Sequence, residues 1–278
     1  MSIPFAPSRS PAHRLALAVC LITTTMAIVY GTTAAVAADM SMPTKAEPAP
    51  AYQWSGCYVG GNAGYGGPGV NFSTTVIPFT YLDATDSGWV NTSGGGSRNQ
   101  TDFVGGGHVG CNWQTGTLVL GLEGDFDWLH SNPNYTNNTN TLIDRAGVPF
   151  AIGQSLTTNY LTTVRPRIGI AADRNLAYIT GGVAFTNANY SETYSDGNGA
   201  TGFASTSKSL VGWAAGAGWE YAFTDSWTFR AEYLIAGFTG SLAAAGTITG
   251  PGGTSNPLQG SASSIFIQVG RAGVEFKF

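Results

Sequence analysis

Charge is what this sequence has least of. Only 10% of its 278 residues are Asp, Glu, Lys or Arg, against about 25% in an average soluble domain. Bases are the scarcer sign, 12 against 16 acids for a net charge of −4. No basic excess exists to neutralise phosphates, which excludes a general nucleic-acid binder. There are three scattered cysteines, too few for a disulfide framework and wrongly spaced for a zinc module. Beyond the N-terminus no second apolar run occurs and mean hydropathy is +0.03, so a multi-span helical membrane protein is excluded. Disorder is excluded as well, because 12% of the residues are aromatic and the net charge is small. What the chain does have is 39 glycines and an abundance of aromatic and β-branched residues, the composition of a one-domain all-β protein.

Residues 1–37 read as a secretory signal: Arg9, His13 and Arg14 form a positive flank, Leu15 to Val29 an apolar stretch, and Ala34 to Ala38 a small-residue cleavage site. The cut is placed after Ala37, with Ala38 as the alternative. Removing this segment takes two arginines and no acids, leaving 10 bases against 16 acids, or −6. Residues 38–53, with three prolines, read as an extended periplasmic tether. Residues 54–278 are the domain proper.

From Trp54 onward the apolar pattern has period two, the strand repeat. Leu118, Leu120, Leu122, Phe126 and Trp128 share one face, and Glu123, Asp125 and Asp127 the other. Tyr160, Val164, Ile168 and Ile170 oppose Arg165 and Arg167; Val211, Trp213, Trp219 and Tyr221 oppose Glu220; Trp227, Phe229 and Tyr233 oppose Arg230 and Glu232; Val274, Phe276 and Phe278 oppose Arg271 and Glu275. Glycine-diluted segments at 55–66, 102–114 and 176–190 bring the count to eight, each long enough to cross hydrocarbon as a tilted strand. Connections alternate: tight turns at Thr115-Gly116, Ala172–Asn175 and Thr224-Asp225, long polar segments at about 67–100, 131–155, 191–205 and 241–261. That rhythm predicts an eight-stranded antiparallel up-and-down transmembrane β-barrel with three tight turns at one end and four long loops at the other. A Greek-key sandwich is the alternative, but it needs no aromatics opposite its charges.

The segments WSGCYVGGNAGYG (54–66), TGGVAFTNA (180–188) and the closing VGRAGVEFKF resemble the small outer-membrane β-barrel family of alphaproteobacteria, a surface-antigen and porin-like group distantly similar to OmpA-type barrels. The resemblance covers essentially the whole mature chain and implies a Gram-negative outer membrane location. Partners follow from it: membrane lipid and lipopolysaccharide, and the outer-membrane assembly machinery, which would read Val274, Phe276 and Phe278 at the C-terminal end. A monomer is expected. The sequence departs from the resemblance at Cys57 and Cys111. These lie at adjacent ends of an antiparallel hairpin, and the bacterial envelope is oxidising, so a cross-strand disulfide is expected, with two free lipid-facing thiols as the alternative.

An eight-stranded barrel is only wide enough to be filled by side chains. Its inward charges would be Glu123, Asp125, Asp127, Arg165, Arg167, Glu220, Arg230, Glu232, Arg271 and Glu275, and six acids with four arginines in a narrow lumen should pair. A structural and surface role without catalysis, cofactor or metal is therefore expected. The alternatives are a narrow porin-like channel for small solutes and a loop-mediated adhesin. Asp125 with Asp127, and His108 with His130, are the residues an enzyme would use, but no motif completes a site around them. His130 is expected where a loop begins. Gly94–Ser97 lacks the following helix and Lys of a phosphate loop.

Overall fold

The computed structural model describes residues 52–145 and 147–278; the signal segment and all of the tether except Tyr52 and Gln53 lie outside them. Five strands are far longer than the sequence pattern suggests. They are β1 (Gly56–Val76), β6 (Pro149–Ala172), β7 (Asn175–Asp196), β8 (Thr201–Ala222) and β11 (Ser255–Lys277). Shorter ones accompany them: β2 (Gly95–Asn99), β3 (Asp102–Thr115), β4 (Leu118–Ser131), β5 (Asn134–Thr141), β9 (Trp227–Phe238) and β10 (Leu242–Thr249). One helix, α1 (Ala84–Ser93), and a 3-10 turn at Pro251–Gly253 complete the fold.

All pairings are antiparallel, and two rings share the five long strands. The lower ring runs β1-β3-β4-β6-β7-β8-β9-β11 and closes where β11 pairs with β1, from Tyr58 opposite Lys277 up to Gly69 opposite Phe266. Closure rules out the sandwich and removes the sheet edge that the C-terminal strand would otherwise expose. Its tight turns fall where the sequence places them, and Gly116 and Asp173 adopt the left-handed conformation those bends require, at φ 61° and 51°. In the upper storey β2, β5 and β10 replace β3, β4 and β9 beside the same long strands. The exchange is marked by irregular register between Gly69 and Asn71, Trp128 and Ser131, and Thr157 and Leu161, which re-aims strands as bulges do.

The four long connections therefore need correction: three are mostly strand, and 67–100 is strand at both ends with α1 between. The stretch 191–205 holds only a turn, between Asp196 and Thr201, and His130 lies inside β4 rather than where a loop begins. The sequence signal was weak because Asn, Ser, Thr and Gly dominate there, and these residues are read as loop formers. The helix was missed for the same reason. Asp83 caps it, accepting the Asp86 amide at 2.9 Å. The helix packs against β1, where Asn91 and Val76 exchange hydrogen bonds, and its buried Val90 joins the apolar core of the upper storey. Trp89 Nε1 donates to the Thr141 carbonyl at 3.1 Å, and Tyr135 Oη and Asn137 Nδ2 donate to the Ser93 carbonyl at 2.8 and 2.9 Å.

Polarity inverts between the storeys. Outward positions of β7 are Ile179, Val183 and Phe185 below, then Asn187, Asn189, Ser191, Thr193 and Ser195 above. The outward face of β11 likewise passes from Phe278, Phe276 and Val274 to Ser263, Ser261 and Gln259. Inside, the order is reversed. The upper interior is an apolar core of Phe72, Ile152, Leu156, Leu161, Leu234, Leu258 and Ile267 with their neighbours, while the lower interior is ionic. Outside apolar over ionic inside suits a hydrocarbon surround, and the reverse suits water.

Candidate functional site

The strand parity that turns Leu120, Leu122 and Phe126 outward, each between 45% and 50% exposed, turns Glu123, Asp125 and Asp127 inward, each below 5%. All ten charged residues expected in the interior lie there and are buried. Glu123 and Arg165 are register partners on β4 and β6, and so are Glu220 with Arg230 and Glu232 with Arg271. The pairs that form are more interwoven than the register implies. Arg230 forks onto both oxygens of Glu123 at 2.6 and 2.7 Å and reaches Glu275 at 3.1 Å. Arg167 forks onto Glu220 at 2.5 and 3.2 Å and donates from Nε to Asn112 at 3.0 Å. Arg165 Nη2 lies 2.6 Å from Asp125, 3.0 Å from Glu123 and 3.2 Å from Glu232. Arg271 contacts Glu232 at 2.6 Å and Asp125 at 3.2 Å, and also binds Asp127. Every carboxylate of this layer has at least one guanidinium, the condition under which buried charges are retained.

Four further groups belong to the network and were not singled out as part of it. Tyr58 and Tyr178 donate their hydroxyls to Glu123 and Glu232, both at 2.7 Å, and the Arg167 guanidinium sits 5.0 and 4.7 Å from their ring centroids. His108 Nε2 is 2.9 Å from Glu275, and Thr163 donates to Asp125 at 2.7 Å. Parity alone would have placed Tyr58 and His108 inward, opposite Val59 and Val109. What parity could not supply was the room: a Cβ on Gly110 would come 2.3 Å from Tyr58 Oη, and one on Gly60 would come 2.4 Å from His108 Nε2. The glycines that diluted the first two strand signals are the space into which these large side chains fold.

The ionic layer is capped at both ends. Above it lies the apolar core. Below it, Tyr52, Trp54, Val119, Ala171, Leu176, Tyr178 and Ala222 form a second apolar cluster. Trp54 is 2% exposed; its amide donates to Gln114 Oε1 at 2.7 Å and its indole to the Asp173 carbonyl at 3.1 Å. Tyr52, read as part of an extended tether, is instead folded into this mouth, with Lys277 Nζ 4.1 Å from its ring centre. The space left beside this cap holds about 10 Å³, room for a single water at most.

Asp125 and Asp127 are thus structural partners of Arg165 and Arg271 with no cleft before them. His108 is in the network and His130 outside it, 3.1 Å from Asn159. Among the described residues no group of His, Cys, Asp and Glu is arranged to hold a metal ion. Cys57 and Cys111 stand directly opposite each other on β1 and β3 and are joined as a disulfide. Val274, Phe276 and Phe278 are exposed on the outer face of the closing strand, where Phe276 packs against Trp227 with ring centroids 5.2 Å apart.

Known outer-membrane proteins resemble this chain in sequence. The 31 kDa outer-membrane immunogenic protein of Brucella melitensis is 34% identical over 214 residues, covering 73% of this chain and 80% of that protein. The 25 kDa outer-membrane immunogenic protein of Brucella abortus is 26% identical over 194 residues, 69% of each chain. Among solved structures, the outer membrane protein OprG from Pseudomonas aeruginosa aligns over 82% of this chain and 98% of its own, with 10% identity and a TM-score of 0.39. The family described as outer membrane protein beta-barrel domain matches residues 32–256. The chain belongs to that family and is a β-barrel protein of the Gram-negative outer membrane, similar to bacterial surface antigens.

Proposed function

We propose that this protein is a closed structural barrel. Its lower storey spans the bilayer, its upper storey stands outside the cell, and its role is envelope integrity and surface contact, without transport or catalysis. The observation that carries this reading is the sealed interior: four arginines and six carboxylates interlocked between two apolar plugs. A solute would have to break several charge-assisted pairs at once, each costly to open in a dry interior. Strand length supports a projecting head, because crossing hydrocarbon takes about 9–11 residues and β7 has 22, so about half of it is left over. The partners that fit are lipid and lipopolysaccharide around the outward apolar band, and the assembly machinery at Val274, Phe276 and Phe278, with the protein acting as a monomer.

Surface contact has its own support. Ile77, Phe79, Trp89 and Ile143 are exposed on the segments around α1, in a head whose strands turn mainly polar residues outward, with Phe203 of β8 a further exposed aromatic. They are the residues on which an adhesive role would rest.

Planar-bilayer recording tests the sealed interior. The purified full-length protein should show no steady unitary conductance, and the double variant Glu123→Gln with Arg165→Gln should gain leak events. A stable wild-type conductance that this double variant leaves unchanged would replace the structural reading with a channel.

A further inference from the structure

Every carboxylate of the lower ionic layer has a guanidinium beside it; Glu192, in the upper interior, has no cation and no backbone amide either. Glu192 lies on the inward face of β7 with 0% exposure, level with the apolar core. Its carboxyl accepts from Thr74 Oγ1 of β1 and, at 3.0 Å, from Tyr190 Oη of its own strand. Gln154 of β6 holds both donors, its Nε2 lying 2.9 Å from the threonine and 3.2 Å from the tyrosine oxygen. On the remaining side β11 presents bare backbone: a Cβ on Gly260 would come 1.7 Å from Glu192 Oε2. The groups facing this carboxyl from β1, β6, β7 and β11 are thus a threonine, a glutamine, a tyrosine and a glycine. Tyr190 is the other titratable group among them, and no cation offsets the acid.

An ionised carboxylate so enclosed forfeits its hydration and gains only neutral hydrogen bonds, whereas the neutral acid forfeits far less. We propose that the upper storey is an acid-locked head: Glu192 is carried in it as the neutral acid, and loss of that proton to solvent as pH rises loosens the head while the ionic storey beneath stays closed. Burial holds the Glu192 carboxyl above its ordinary value, and the sign follows from linkage. A group whose folded pKa is raised contributes its full stabilisation below the unfolded value and loses it as pH climbs through the folded one. Only contact with water is required for this. That the water is extracellular rests on the orientation proposed above.

Amide hydrogen exchange on the refolded full-length barrel, from pH 4 to pH 8 and corrected for intrinsic rates, tests the device. Protection in 70–76, 150–158, 187–196 and 255–262 should fall, by up to about tenfold per pH unit, from the ordinary carboxyl range up to the raised pKa of Glu192 and level off above it, while 119–127 and 228–234 stay constant. The variant Glu192→Gln, neutral at every pH and of the same shape, should hold the head protected throughout. If the variant fails to fold, judged by heat-dependent gel migration, the wild-type profile decides alone. Head protection independent of pH in the wild type, or falling equally in wild type and variant, would overturn the proposal. Protease sidedness on whole cells reads the orientation separately, so a wrong orientation and a wrong proton are told apart.

Discussion

At the scale of single residues, the interior is a network in which each arginine serves several acids, so removing one strands several charges. Arg230 is the clearest case, because it touches Glu123, Glu232 and Glu275. Arg230→Met keeps much of the volume but leaves three buried carboxylates short of a partner. Breaking a buried pair by deleting one member costs about 3–5 kcal/mol, and the urea midpoint of the barrel in lipid vesicles should fall accordingly. Leu120→Ala, on the outward face, should move the midpoint less, since it strands no buried charge and opens no internal cavity and loses only the transfer of a few methyl groups to lipid. Equal losses from the two substitutions would mean that the ionic layer is not what holds the ring.

At the scale of elements, the first hairpin of the ring is the one with a covalent tie. Cys57 and Cys111 are 54 residues apart in sequence and opposite each other in register, and the span between them carries the upper part of β1, α1 and β2. Closing a loop of that length restricts the unfolded chain by about 3–5 kcal/mol in the chain-entropy account. Protein purified from the envelope without reductant should resist alkylation at both thiols and become doubly alkylated after reduction. Full alkylation beforehand would show two free thiols on the lipid face. The legibility of this pair in the sequence differs from that of α1. Cys57 lies near the start of the first ring strand and Cys111 near the end of the second, ends that antiparallel pairing brings together, so their meeting could be reasoned out. The helix packs on β1 and on the apolar core beneath it, a surface that exists only once distant strands have been arranged around an axis.

At the scale of the whole molecule, the two storeys make opposite bargains with their surroundings. The lower one hides its charges and shows hydrocarbon; the upper one hides hydrocarbon and shows amides and hydroxyls. Spin labels at Leu120 and Phe229, outward on the lower ring, should report acyl chains by their oxygen accessibility. Labels at Asn189 and Ser261, outward on the upper one, should report water. A water signal at Leu120 and Phe229 would invalidate the spanning assignment and with it the proposed role. The continuous passage of β7 and β11 through both environments also accounts for the bulges between them, since a change of strand partners has to be accommodated where the surround changes.

Period-two alternation, the scarcity of charge and the placement of Gly, Asn and Asp at bends determined the all-β class, the eight ring strands, their tight turns and which face of each carries ions. These are properties of neighbouring positions along one strand, and strand geometry converts them directly into faces. The tertiary structure alone decided the second storey, the helix packed on β1, the cap made by Tyr52 and Trp54, and the isolation of Glu192. In the upper segments the polar outward residues resemble loop sequence, and the apolar residues alternating with them reveal their purpose only when strands distant in the chain enclose a common core. Glu192 is one acid among many until β1, β6 and β11 surround it with groups that carry no charge.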